Sequence, residues 1–200
     1  YTGHDMSAAH DHDHPKAAPG ELDRVRVFVN TLDLETHEDA LADPSATAAW
    51  FAERGLLPDG EELTDADVRQ AREMREALRK LLLAHNGATL DPAAVEAVNG
   101  AAKSAELVAR FDEQGDAGLV PVRTGVDGAL GRLLAIVFRA VADGSWERLK
   151  ACPAEDCEWA FYDWSKNGSG TWCDMAVCGN RAKARAYRER RQRGTKAHTA

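Results

Sequence analysis

The sequence predicts an α+β chain: a mainly α-helical amino-terminal domain with one small β-hairpin, followed by a compact cysteine-bearing module that ends in a strongly basic helix. Three observations lead there. Apolar residues recur at helical spacing through most of residues 21–145, and two short segments within 107–123 break that spacing around a turn-rich interval. All four cysteines then fall in the last quarter of the chain, just before a run of arginines.

At 200 residues, 44% of them hydrophobic and 29% charged, the chain is long enough for one modest domain plus an appendage. Its longest uncharged apolar runs, Leu81–Leu83 and Leu133–Phe138, fall far short of the roughly 18 residues of a membrane span, so no membrane partner is expected. The net charge of −8 conceals two opposite parts. Residues 1–149 carry 15 Lys and Arg against 27 Asp and Glu, whereas residues 150–200 carry 10 against 6, which points to an anionic partner for the carboxyl-terminal part.

Residues 1–20 are polar and aperiodic, with His4, His10, His12 and His14 among Ala, Asp and Pro, and are expected to form a disordered tail. Met6 is a candidate native start behind residues 1–5. No apolar segment of a secretory signal follows, which makes a reducing cytoplasm the expected location and metal binding or redox chemistry the expected use of cysteine. From Glu21, the residues Leu22, Val25, Phe28, Val29 and Leu32 mark a first helix that ends near the acidic stretch Asp33–Asp43. Asp43-Pro44 opens a second that carries Trp50 and Phe51 and stops at Gly55. Thr64, with Asp67 three residues on, caps the longest helix, which places Val68, Ala71, Met74, Ala77, Leu78, Leu81 and Leu82 on one face before Asn86-Gly87. Asp91-Pro92 starts another, with Val95, Val98 and Ala102 turned inward. Leu107–Phe111 and Leu119–Arg123 flank the turn-rich Asp112–Gly118 as a hairpin, with Pro121 on an edge. A helix from about Gly128 to Ala142 turns Leu130, Leu133, Leu134, Val137, Phe138 and Val141 to the core. Residues 21–145 thus form the expected helical regulatory domain. No repeat at 20–50 residues is present.

The cysteines follow C-x4-C-x15-C-x4-C: Cys152, Cys157, Cys173 and Cys178. Two short pairs suit one tetrahedral Zn²⁺, because each turn points two thiolates at the same ion. Unrelated buried thiols or a redox pair are the competing readings, and the paired spacing in both halves favours zinc. Four thiolates leave no position for a metal-bound water, which argues for a structural rather than a catalytic ion. The x4 spacing and the lack of any His-x-Glu also set the chain apart from zinc nucleobase deaminases. Between the pairs, Trp159, Phe161, Tyr162 and Trp164 read as a strand before the turn at Lys166–Gly170, and the second pair opens a helix from Asn180 to Arg193. Knuckle, hairpin and helix make a treble-clef-like zinc finger with four cysteine ligands over residues 150–195. The aromatics and Trp172 are read as finger core rather than as base-stacking groups.

That last helix carries Arg181, Lys183, Arg185, Arg188, Arg190, Arg191 and Arg193, with Lys196 beyond it and Glu189 its one acid. Phosphate neutralisation makes such an element a candidate binder of double-stranded DNA, and charge distributed all round the helix favours backbone contact over base reading. A solvated helical tail is the bland alternative. Arg181 has a second reading, as a brace for the zinc site or the helix start.

The segments Cys152-x4-Cys157, Trp159-Ala-Phe161-Tyr162-Asp163 and Cys173-x4-Cys178-Gly179-Asn180-Arg181 resemble the finger of the CGNR family. Phe28-Val-Asn30-Thr31-Leu-Asp33, with Trp50-Phe51, is similar to the start of the ABATE domain that precedes that finger in bacterial proteins. The resemblance covers roughly Leu22 to Arg193. It implies a DNA-binding transcriptional regulator with Cys152, Cys157, Cys173 and Cys178 as ligands of one structural zinc.

The expected function is therefore a zinc-finger transcription regulator whose basic helix contacts DNA while residues 21–145 sense a signal or form a homodimer. The alternative is a zinc-stabilised module docking on the transcription machinery without touching DNA. A thiol-based redox switch is a third reading. No catalytic residues are expected: His37, His85 and His198 accompany no nucleophile motif, and His37, Glu38 and Trp50 read as surface or core rather than as a ligand pocket. Cys178→Ser is expected to unfold the finger without melting the amino-terminal helices.

Overall fold

The structure, a computed structural model, describes residues 16–196, and of these all side chains except those of Glu189 and residues 191–196. His4, His10, His12, His14 and His198 lie outside the described residues, as do the side chains of Arg191 and Arg193.

Four helices begin the chain: α1 (Leu22–Val29), α2 (Pro44–Glu53), α3 (Asp65–Ala84) and α4 (Pro92–Ser104). Their starts are fixed by local chemistry. Asp43 accepts from the Ala46 N–H at 2.9 Å with Pro44 in the first turn, and Asp91 accepts from Ala93 at 2.9 Å with Pro92 in the same place. Thr64 and Asp67 form the reciprocal capping box of α3. Strands β1 (Leu107–Phe111) and β2 (Ala117–Pro121) pair antiparallel, with Leu107 opposite Pro121. Helix α5 (Gly125–Asp143) ends at Gly144, whose φ of 77° is the left-handed conformation that favours glycine. After a short 3-10 turn come β3 (Leu149–Ala151) and β4 (Ala160–Tyr162), a second antiparallel hairpin, then one π-helical turn (Met175–Gly179) that runs into α6 (Asn180–Lys196). Among the described residues no helix is long and apolar enough to cross a membrane.

The core joins Phe28, Leu41, Trp50, Phe51, Leu78, Leu82, Leu130 and Leu133, and Trp50 meets Phe51 edge-on at 5.3 Å. It does not stop at residue 145. Leu149, Ala151, Ala160 and Tyr162 belong to the same cluster, so the hairpin of the finger is also a wall of the helical domain. A smaller cluster of Cys152, Phe161, Cys173 and Cys178 lies on the other side of that hairpin. Strand alternation explains the division, since Phe161 faces the thiols while its neighbours Ala160 and Tyr162 face the helices.

Several expectations need correction. Helix α1 stops at Val29, because Asn30 and Thr31 turn their side chains to local and distant carbonyls and Leu32 instead bridges Asp39. Phe138 and Val141 are exposed. Phe138 stands about 140° round the helix from Leu133, off the face that Val126, Ala129, Leu133 and Ala140 press inward. In α4, Ala94 is the buried residue and Val95, Val98 and Ala102 are half-buried. Strand β2 spans Ala117–Pro121 rather than 119–123. Gly131 explains the close fit behind it: a Cβ there would lie 2.7 Å from the Ala105 Cβ and 2.8 Å from that of Pro121.

The expected tail also begins to fold earlier than its composition implies. The Tyr162 N–H donates to the Lys16 carbonyl at 2.9 Å, the Trp164 indole donates to the Ala17 carbonyl at 2.9 Å, and Ala18 is buried. Lys16–Ala18 therefore lie along the finger hairpin as a strap. The Lys16 ammonium sits 4.6 Å from the Phe161 ring centre and donates to the Trp172 carbonyl.

Candidate metal centre

Cys152 follows β3 directly, and its N–H donates to the Trp159 carbonyl at 3.0 Å, which closes the β3–β4 connection into a tight loop. Within that loop the N–H groups of Cys157 and Glu158 both donate to the Ala154 carbonyl, at 2.9 and 3.0 Å. The second pair is shaped by Asp174, whose carboxylate accepts from Ala176 and Val177 at 2.6 and 3.1 Å and caps the π turn. Gly179 lets the Met175 side chain lie close where that turn meets α6, since a Cβ there would push the Met175 sulfur aside. The first cysteine pair thus lies within the β3–β4 hairpin itself. Among the described residues β4 and the loop 163–172 separate it from the second pair and α6.

The two turns bring all four sulfurs within 4.8 Å of one another. Cys157 and Cys173 are 3.5 Å apart and Cys173 and Cys178 are 3.7 Å apart, too far for disulfides and close to the edge of about 3.8 Å that four Zn–S bonds of about 2.3 Å subtend in a tetrahedron. Cys152, Cys173 and Cys178 are buried and Cys157 is half-buried. The donor set, its number and its closed surroundings fit one structural zinc ion and leave no side for a substrate.

The thiols' own acidities show what such a cluster lacks. Hydrogen bonds from Cys157 and then Cys173 stabilise a Cys152 thiolate and hold its pKa at about 2. The Cys152 thiolate in turn pushes Cys157 up to about 12 and raises Cys173, and burial raises Cys178. Thiols this close hinder one another's ionisation, and a dication would supply the charge that lets them ionise together.

Behind the cysteines stands a buried frame that sequence reasoning did not single out. Lys150 donates to the Asp163 carboxylate at 2.8 Å and to the Gly168 and Gly170 carbonyls, so the loop after β4 is folded onto one ammonium group. Gly170 must be glycine here, since a Cβ would lie 2.6 Å from the Asp163 carboxylate. Asn30 pairs with both the N–H and the carbonyl of Ala160, at 2.7 and 3.0 Å, as a neighbouring strand would. Arg79, 1% exposed, donates to the Val29 and Glu158 carbonyls at 2.8 and 3.0 Å, while Asn86 reaches the Ala151 and Thr171 carbonyls. His85 is half-buried against the Leu149 carbonyl at 2.8 Å and edge-on to Trp146, a packing role. The only sequence signal for this frame is the placement of Arg79 on the buried side of α3, where a charge demands fixed partners.

Of the aromatics, buried Phe161 and half-buried Trp159 and Trp172 pack with the cysteines as finger core; Tyr162, expected there too, is buried instead in the core of the helical body, and Trp164 is exposed and lies edge-on to Tyr162. Helix α6 carries Arg181, Lys183, Arg185, Arg188 and Arg190 exposed. Among the described side chains Arg181 is the one of these that meets carboxylates, with Glu35 at 2.8 Å and Asp156 at 3.9 Å. His37 and Glu38 occupy the exposed turn beyond Glu35.

Comparison with known families places this geometry. The model of the CGNR zinc finger matches residues 148–191, which contain all four cysteines. The ABATE model, described as "Putative stress-induced transcription regulator", matches residues 22–144, more than half of the chain. No curated protein matches the sequence closely enough to count as a relative. Neither family description names an enzymatic activity. The cysteine cluster, the helical body before it and the extent of both matches lead to one conclusion: the chain belongs to the ABATE family, with a carboxyl-terminal CGNR zinc finger, and is a zinc-binding regulatory protein.

Proposed function

We propose that the protein is a transcription regulator that grips double-stranded DNA through α6, with Cys152, Cys157, Cys173 and Cys178 holding the zinc that fixes where this helix starts. One observation carries the reading: Lys183, Arg185, Arg188 and Arg190 are exposed on a helix whose main packing is against the π turn, and among the described residues no carboxylate lies in ion-pair range of them. Cations that meet no carboxylate among the described residues, in a chain of net charge −8, are available to phosphates, and the rest of the acidic surface repels DNA so that only this end approaches it. Arg191 and Arg193 extend the same basic run. The ABATE portion, which shares a core with the finger hairpin, serves as the regulatory input.

The test is binding of the full chain to a fluorescein-labelled random-sequence 30-base-pair duplex over a range of salt. Four or more phosphate contacts give a slope of about −3.6 or steeper in log K against log salt, and each of Lys183→Gln, Arg185→Gln, Arg188→Gln and Arg190→Gln reduces it by about 0.9. A zinc-loaded protein that retains no duplex at low salt would overturn the DNA reading and leave docking on the transcription machinery in its place.

A further inference from the structure

Arg181 opens α6 in the middle of the sequence Gly179-Asn180-Arg181-Ala-Lys183, yet the structure separates it from the other basic residues of that helix. Its guanidinium lies between two carboxylates from different parts of the chain: Glu35 Oε1 at 2.8 Å, from the acidic turn after α1, and Asp156 Oδ2 at 3.9 Å, from the loop between the first two cysteines. Both carboxylates stand on anchored backbone. The Glu35 N–H donates to Asp33 Oδ1 at 2.7 Å, the His37 N–H donates to the Asp33 carbonyl, and His37 turns the chain back with a φ of 62°. Asp39, at the end of that turn, is held by Arg75 at 2.7 Å and Arg72 at 3.3 Å, both from α3. On the other side the Asp156 loop is tied to α3 through Arg79 and the Glu158 carbonyl. One helix of the regulatory body therefore positions both jaws that close on Arg181.

We propose that Arg181 is the residue that aims α6 rather than one of its phosphate contacts, and that Glu35 is its positioning partner in the ABATE portion; this rests on the DNA-binding reading of α6. A helix attached at one end by the π turn swings about that attachment. A guanidinium clamped in the first turn removes that freedom, and the ordering cost it removes would otherwise be met when DNA binds. The pair is about half exposed on both sides, so its weight falls on orientation, with little effect on global stability. The acidic turn also becomes the route by which a change in the body would reach the helix: whatever displaces Glu35 releases α6.

The sign of one substitution separates this from plain electrostatics. Removing a negative charge beside a DNA-binding helix strengthens binding if that charge does nothing else; if Glu35 positions α6, Glu35→Gln weakens binding to the random duplex about two- to five-fold. Arg181→Gln gives a similar loss with the salt slope unchanged, whereas Arg185→Gln lowers the slope by about 0.9. The charge exchange Glu35→Arg with Arg181→Glu restores affinity to within about two-fold, although it sets a carboxylate at position 181 that a phosphate contact would not tolerate. Unchanged or tighter binding by Glu35→Gln, or an exchange variant weaker than either single variant, overturns the proposal. If the unaltered protein binds no duplex, the DNA reading fails by itself, and ¹⁵N relaxation of the free protein still decides the clamp: α6 amides tumble with the body in the unaltered chain and gain independent motion in Glu35→Gln. Identical relaxation in the two proteins would remove the clamp whatever DNA does.

Discussion

At the scale of single residues, the finger depends on an ion pair as well as on its cysteines. Asp163 is 3% exposed and Lys150 6% exposed, and the carboxylate also accepts N–H bonds from Ser165 and Gly170 at 3.0 and 2.8 Å. Burial raises the Asp163 pKa, but the hydrogen bonds from Lys150, Ser165 and Gly170 outweigh it and hold the group at about 2, below its ordinary 3.8. A carboxyl more acidic in the folded than in the unfolded chain stabilises the fold above its unfolded pKa, and that stabilisation is lost as pH falls through the folded value. Asp163→Asn should therefore cost about 3 kcal/mol at neutral pH by leaving Lys150 buried and unpaired. Urea titrations of both proteins at successive pH values should show the gap narrowing between about pH 4 and pH 2. A gap independent of pH would show that the loss comes from packing rather than charge. Gly170→Ala should damage the same site through the 2.6 Å approach to that carboxylate, with the zinc ligands untouched.

At the scale of elements, what was legible in the sequence was what short-range chemistry decides. The caps at Asp43, Thr64 and Asp91 are hydrogen bonds made within a few residues, and the starts of α2, α3 and α4 follow from them. The four cysteines were equally legible, since two short turns suffice to converge them. Strand β3 was not, because three residues carry no periodicity and become a strand only through β4. The strap at Lys16–Ala18 was hidden for the same reason: a polar, proline-rich stretch looks unfolded unless the edge of β4 that receives it is known. In α5, helical spacing alone did not show which side Phe138 would take, because neighbours from α1, α3 and α4 chose the face. The strap yields a test. Removing residues 1–18 strips a backbone partner from Tyr162 and the cover that Ala18 and Lys16 give the hairpin, and should cost about 2 kcal/mol by denaturant unfolding. Loss of the same residues with stability unchanged would reduce the strap to a surface contact.

At the scale of the whole molecule, the finger and the helical body share one hydrophobic core. The hairpin of the finger completes the core around Leu82 and Leu133, and Asn30, Arg79 and Asn86 read its backbone from α1, α3 and the turn after α3. Two consequences follow, and the first departs from the expectation that Cys178→Ser would unfold the finger while leaving the helices unaffected. Chelation should abolish the ordered π turn and the fixed start of α6, yet leave β3 and β4 folded, because their inner face is buried by helices rather than by metal. Hydrogen exchange after chelation should retain protection at Leu149–Ala151 and Ala160–Tyr162 and lose it at Met175–Gly179. The second concerns stability. A ligand that binds only the folded chain stabilises everything that unfolds with its site, by RT ln(1 + [L]/Kd). Because site and body share a core, zinc should raise the urea midpoint of the amino-terminal helices as well as that of the finger. Helical circular dichroism and zinc release, followed in one titration, should then coincide in a single transition. Separate transitions, with the helical one indifferent to zinc, would mean that the shared core does not couple the two parts. The ABATE portion would then have no route through that core to the helix it is proposed to control.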